Sequence, residues 1–212
     1  MTYIKYYNYK EVYGPSKLRV NKIVELVGDV CNKKILDIGC GDGTLGLALK
    51  KKGAYVVGCD ISKKAIYLCK DKLDECFFFD VEKDNFNRLD KDFNIIIASE
   101  IIEHLFDPEK FLLNIKEIMT SETDFILTTP NFLVWTNRLR ILFGKFEYTK
   151  IGLLDESHLR FFSYNSLKRT IEKLDLKVVE ENSIVHSKIP YLLGRKFPNL
   201  FCFQMIFKIK LP

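Results

Sequence analysis

The chain has 212 residues, 47% of them hydrophobic and 29% charged, and a net charge of +5. This is the composition of a soluble globular protein long enough to bury a core without disulfides, and a charge this mild permits an anionic ligand without demanding nucleic acid. No apolar run reaches membrane-spanning length, and the tyrosine-rich start from Met1 to Lys10 lacks the apolar centre of a signal peptide, so a cytoplasmic protein with no membrane span is expected.

In chain order, Tyr3 to Tyr13 carry no clean periodicity and read as an irregular arm or frayed helix, broken by Gly14-Pro15. Ser16 can cap a helix carrying Leu18, Ile23, Val24 and Val27 and ended by Gly28. The run Ile35-Leu36-Asp37-Ile38 then meets Gly39, Gly41 and Gly43 on alternate positions before an apolar helical pattern resumes, which predicts a buried strand, a tight turn and a helix whose first amides face a ligand. A dinucleotide fingerprint would need a further glycine where Thr44 stands.

A second strand, Ala54 to Asp60, ends in an acid whose two oxygens can accept hydrogen bonds from vicinal hydroxyls, so Asp60, followed by Ile61, is the expected ribose clamp. Ser62 caps a helix to about Leu73, and Cys76 to Val81 reads as a third strand with Asp80 at its end. That acid is either a turn former or a ligand contact. Phe93 to Ser99 is a fourth strand, continuously apolar as in a sheet covered on both faces. After Pro108 the spacing of Phe111, Leu112, Ile115, Ile118 and Met119 predicts an amphipathic helix, and Asp124 to Thr129 a fifth strand ending at Pro130.

Alternation then stops. Residues 130–162 form an insertion with a short helix around Phe132 to Phe143, read as a substrate lid. A helix capped by Ser163 or Asn165 and strands at Leu176 to Val185 and Phe201 to Ile209 close the chain. The expected fold is α/β: a doubly wound, seven-stranded, mostly parallel sheet with an antiparallel edge, one domain over residues 1–212 with an arm at 1–30, and its ligand at the carboxyl ends of the strands. Cys31, Cys40, Cys59, Cys69, Cys76 and Cys202 form no C-x-x-C pair and read as small apolar residues in a reducing compartment.

Glu100, Glu103 and His104 would share one face if they began a helix. Two carboxylates and an imidazole can hold a divalent cation, the oxygens favouring magnesium or manganese and the nitrogen admitting zinc or iron. Alternatively, the acids only complement a helix dipole and the histidine hydrogen-bonds a substrate. Without a metal, His104 or His158 is the candidate general base for a hydroxyl acceptor.

The spacing Asp37-x-Gly39-x-Gly41-x-Gly43 resembles motif I of the class I S-adenosylmethionine (SAM) dependent methyltransferases. The resemblance implies SAM as cofactor and S-adenosylhomocysteine as product, with Asp37 toward the methionine end, the loop of Gly39, Cys40, Gly41 and Gly43 beneath it, Asp80 and Val81 at the adenine, and Ser99 at the end of the fourth strand. The run from Ser99 to His104, with Thr129-Pro130-Asn131 and the segment from His158 to Phe162, resembles metal-assisted O-methyltransferases of ubiquinone biosynthesis and of small-RNA 3′ ends. That likeness implies a metal set of Glu100, Glu103, His104 and His158.

The insertion, with Trp135, Arg138 and Gly144, is equally similar to methyltransferases of the MetW type and their relatives in cell-surface polysaccharide clusters. O-methylation of a small-molecule or glycan-like hydroxyl is therefore the leading expectation. The alternatives are RNA 2′-O-methylation, with Arg138, Arg140, Lys145, Arg160, Lys168 and Arg169 on phosphates, and a SAM-binding partner protein docking through the insertion and Phe197 to Phe207. Neither the acceptor nor the oligomeric state is legible in the sequence.

Overall fold

The computed structural model describes residues 15–185 and 191–212, so the tyrosine arm lies outside the described residues. The elements run α1 (Lys17–Val27), β1 (Lys34–Ile38), α2 (Thr44–Lys50), β2 (Tyr55–Asp60), α3 (Lys63–Cys69), β3 (Glu75–Phe78), β4 (Ile95–Ser99), α4 (Pro108–Ile118), β5 (Asp124–Pro130), α5 (Trp135–Leu142), α6 (Tyr164–Lys173), β6 (Lys177–Val185), α7 (Tyr191–Lys196), α8 (Pro198–Phe201) and β7 (Cys202–Lys210). All seven strands form one sheet in the order β3-β2-β1-β4-β5-β7-β6, parallel from β3 to β5. The antiparallel partner of β5 is β7, which pairs antiparallel with β6 in turn, so the strand running against the rest sits one place in from the edge.

Continuously apolar strands arise because the period of two sends alternate residues into two different cores. Ile35, Ile95, Ile97, Ile126 and Ile206 pack beneath α1, α2 and α3 with Ile23, Leu45 and Cys69. Leu36, Ile96, Ala98, Phe125, Leu127 and Phe207 pack on the other face against α4 and α6 through Phe111, Ile115, Leu167 and Ile171. Burying one such side chain contributes roughly 1.5–3 kcal/mol, so both faces hold the sheet.

Helix starts follow local chemistry. The side chains of Ser16, Ser62, Asp107 and Ser163 accept hydrogen bonds from the first-turn amides of α1, α3, α4 and α6. Cys40, Cys59, Cys69 and Cys202 are buried as expected, whereas Cys31 is exposed, and none is in a disulfide.

Three local expectations need correction. β3 ends at Phe78, leaving Asp80 two residues beyond it. The segment after β4 is not an α-helix: Glu100 has φ of 61° and a 3-10 turn covers only Ile102–His104. Two short helices, α7 and α8, precede the last strand. Strand order reverses between β1 and β4, which opens a crevice at their carboxyl ends.

Candidate active site

A cavity of about 330 Å³ occupies that crevice, lined by Asp37 to Gly41, Asp60 to Ser62, Phe79 to Glu82, Ser99 to Ile101 and His104. Its size falls within the roughly 300–1,000 Å³ of small-molecule sites. Of the residues singled out in the sequence, Asp37, Gly39, Cys40, Gly41, Asp60, Ile61, Asp80, Val81, Ser99, Glu100 and His104 all line it. Gly43, Glu103 and His158 are not among its lining residues.

The glycine loop uses its amides internally. Gly39 and Cys40 N–H groups donate to Cys59 O at 2.7 and 3.1 Å, Gly41 N–H to Asp60 Oδ2 at 3.0 Å, Gly43 N–H to Cys40 O at 2.9 Å and Thr44 N–H to Asp42 Oδ1 at 3.0 Å. These bonds take up the amides of the loop itself, while the helix start carries no side-chain cap on its remaining first-turn amides. The glycines let neighbouring side chains of the protein pack closely on the loop. Gly39 has φ of 69°, and a Cβ there would lie 2.0 Å from Ile101 Cδ1; at Gly43, with φ of 77°, it would lie 2.9 Å from Cys69 Cβ. Gly39→Ala is expected to destabilise the fold by about 2–4 kcal/mol, from left-handed strain and overpacking together, and urea denaturation measures it.

Two acids face the cavity from adjacent strand ends. Asp60 accepts from Gly41 N–H and, through Oδ1, from Ser62 N–H at 2.7 Å, and the carboxylate keeps lone-pair capacity for another donor. Burial raises its carboxyl above the usual range, with the amides of Ser62, Gly41 and Ile61 opposing. Asp37 is 2% exposed, and its Oδ2 is a buried atom without a hydrogen-bond partner. Burial, then the charges of Asp60, Cys69 and Asp42, pushes its carboxyl up to about 7. Asp80 does form a turn, accepting from Glu82 N–H and Lys83 Nζ, while also lining the cavity beside Val81.

Arg19 of α1 enters the cavity, which the sequence did not signal because an arginine in an amphipathic helix reads as a surface charge. Its Nη1 lies 3.6 Å from Glu100 Oε2, and its buried Nε has no partner. Glu100 is held in its left-handed conformation by Thr128, whose carbonyl accepts from its N–H at 3.0 Å and whose hydroxyl donates to Oε1 at 2.9 Å.

The insertion's return limb supplies Lys150, Ile151, Asp155 and Ser157 to the cavity. It is clipped to the 3-10 turn: the N–H groups of Leu159 and Arg160 donate to Glu103 O at 2.8 and 2.9 Å, and His104 Nδ1 lies 3.1 Å from Ser157 O. His158 Nδ1 lies 3.1 Å from Leu153 O, and the two rings stand edge to face at 4.9 Å. A carbonyl beside Nδ1 requires the proton there, which makes Nε2 the basic nitrogen of each neutral ring.

Glu103 is 2% exposed, accepts from Thr129 Oγ1 at 2.9 Å, and buries Oε1 without a hydrogen-bond partner. Burial, and then the neighbouring Glu100 charge, raises its carboxyl well above the usual range. One donor atom each of Glu103, His104 and His158 lie within 4.8 Å of one another. Glu100, expected in the same set, stands outside this group, because its left-handed backbone and Thr128 turn it toward Arg19.

The strand order, the glycine loop and the cavity over the switch point together define the class I methyltransferase fold. The methyltransferase domain family matches residues 17–181, and the chain belongs to it: it is a member of the class I SAM-dependent methyltransferases. The chain is 25% identical over 138 residues to a ubiquinone biosynthesis O-methyltransferase of Pasteurella multocida, covering 58% of this chain and 57% of that one. It is 28% identical over 128 residues to the enzyme of that name from Nitrosomonas europaea, covering 58% and 54%. The chain thus spans little more than half the length of these curated relatives. Magnesium protoporphyrin IX methyltransferase of Synechocystis, solved with bound SAH, shares the fold with a TM-score of 0.70 and 14% identity over 98% of this chain and 97% of that one.

Proposed function

We propose that the chain transfers a methyl group from SAM to a hydroxyl of a small-molecule or glycan-like acceptor. The observation that carries the reading is the basic His104 imidazole lining the same cavity as the acids at the ends of β1 and β2. The fit to SAM rests on the orphaned Asp37 oxygen, which suits a cationic partner, and on the remaining lone-pair capacity of Asp60 for ribose hydroxyls. When bound, SAM supplies an electrophilic methyl on a cationic sulfur.

When it binds, Arg19 would hold the carboxylate of the methionine portion and Asp37 its ammonium, with Asp80 and Val81 at the adenine. Cys40, Gly41, Ile61 and Ser99 shape the walls. His104 Nε2 would take the acceptor's hydroxyl proton as the methyl passes from sulfur to oxygen and SAH leaves, with His158 and the carbonyl of Ser157 holding the ring's orientation. Holding the reacting atoms together supplies several kcal/mol, and a positioned base roughly 10²–10⁴-fold in rate.

A second reading is favoured by the buried, orphaned Glu103 Oε1 beside two imidazoles: Glu103, His104 and His158 would hold a divalent cation that acidifies the acceptor hydroxyl. One oxygen and two nitrogens match zinc, manganese or iron better than magnesium. Titration calorimetry with SAH tests the shared core of both readings. Saturable binding is expected, weakened about tenfold or more by Arg19→Ala through loss of a charge-assisted contact, and absence of binding by the parent protein would sink both.

A further inference from the structure

Residues 138–152, the end of α5 and the loop after it, are exposed without interruption. That stretch carries Ile141, Leu142, Phe143, Phe146, Tyr148 and Ile151, with Leu142 at 75%, Phe143 at 73% and Ile151 at 66% of full exposure. Large apolar side chains in such density are unusual on a surface facing only water, where isolated ones are the norm. The arm is nonetheless held at both ends. Buried Asn137 donates to Phe132 O, Arg138 to Leu133 O and Asn199 O, and Thr149 N–H to Leu154 O. Leu142 and Phe143 are therefore presented outward by a fixed base, while the Phe146 ring packs against Phe132, Phe161 and Tyr148.

Charge identifies what they meet. Arg140, Lys145 and Lys150 are interleaved with the apolar residues, exposed, and in no ion pair among the described residues, and the stretch holds a single acid, Glu147. A protein interface would leave such lysines to be desolvated at its centre, where they are depleted, whereas an anionic lipid surface takes the cations at its headgroups and the apolar side chains just beneath. No helix among the described residues is long and apolar enough to cross a membrane. We propose that residues 138–152 dock this chain on an anionic membrane surface. Because Lys150 and Ile151 also line the cavity, docking sets the cavity beside the lipid.

The test is co-sedimentation of the full chain with vesicles of phosphatidylglycerol and phosphatidylcholine against phosphatidylcholine alone. Binding to the anionic vesicles only, weakened by salt, is expected. Leu142→Ser with Phe143→Ser, and separately Arg140→Glu with Lys145→Glu, should each weaken it about tenfold or more at unchanged circular dichroism and melting temperature. No sedimentation with anionic vesicles, or both variants binding like the parent, overturns the proposal. So does a dimer in light scattering that the apolar variant dissolves while vesicles are ignored, since the face would then belong to a second copy. Vesicle binding needs no methyl transfer, so its failure leaves the reading of the cavity standing.

Discussion

Asp37→Asn is expected to stabilise the ligand-free protein at pH 8 and to weaken SAM and SAH binding about a hundredfold at the same pH. The carboxyl rises from its ordinary 3.8 to about 7 in the fold because burial penalises its charge and Asp60, Cys69 and Asp42 repel it. Between those two pH values the folded chain holds a proton that the unfolded chain has released, so stability falls as pH rises through that window. Above pH 7 the full penalty applies, on the order of 4 kcal/mol before relaxation of the site. The neutral amide removes it, and thermal unfolding should show a gain at pH 8 that is roughly halved at pH 5.5 and gone below the unfolded-state pKa.

Binding carries the opposite sign. A cationic partner beside Asp37 draws its pKa back down, so affinity for SAH should decline as pH falls below 7, by up to about tenfold per pH unit, and the Asp37→Asn substitution should abolish that dependence. A ligand-free variant that melts lower than the parent at pH 8 would show that Oδ2 is satisfied in solution and would remove the argument for a cationic ligand there.

The residues legible in the sequence were those whose neighbours along the chain fix their place. A buried strand followed by glycines at alternate positions can only turn sharply, and an acid ending the next strand then lies beside that turn, as Asp60 does through its bond to Gly41. The continuously apolar strands also announced a sheet covered on both sides. Arg19 escaped because its contact with Glu100 spans 81 positions and nothing local marks it.

The 3-10 turn at Ile102–His104 escaped because the spacing of Glu100, Glu103 and His104 is helical, while the conformation is set by Thr128 from a neighbouring strand. The insertion of β7 between β5 and β6 is likewise decided by pairing between strands, which periodicity does not encode. Helical spacing grouped Glu100, Glu103 and His104, and the resemblance to metal-assisted O-methyltransferases added His158; tertiary contacts divided them, grouping Glu103 with His104 and His158 and turning Glu100 toward Arg19.

That division makes the second large effect decisive for mechanism. His104→Ala should lower turnover with a hydroxyl acceptor by roughly 10²–10⁴ while changing SAH affinity by no more than about threefold, measured by single-turnover kinetics and calorimetry. The two readings separate on the neighbours. If His104 acts as a proton acceptor, His158 only buttresses its ring across the 4.9 Å edge-to-face contact, and His158→Ala should cost about tenfold.

Glu103→Gln would then be mild, because the Thr129 hydroxyl that now donates to Oε2 can donate to an amide oxygen in the same place. If the three side chains hold a cation, each loses a donor when changed. Glu103→Gln, His104→Ala and His158→Ala should then fall to similar rates, their effects should not add, and dialysis against a chelator should reproduce them until manganese or zinc is returned. Equal, near-parental activity in all three variants would remove both mechanisms and leave this cluster as the clasp by which the Glu103 carbonyl holds the insertion over the cavity.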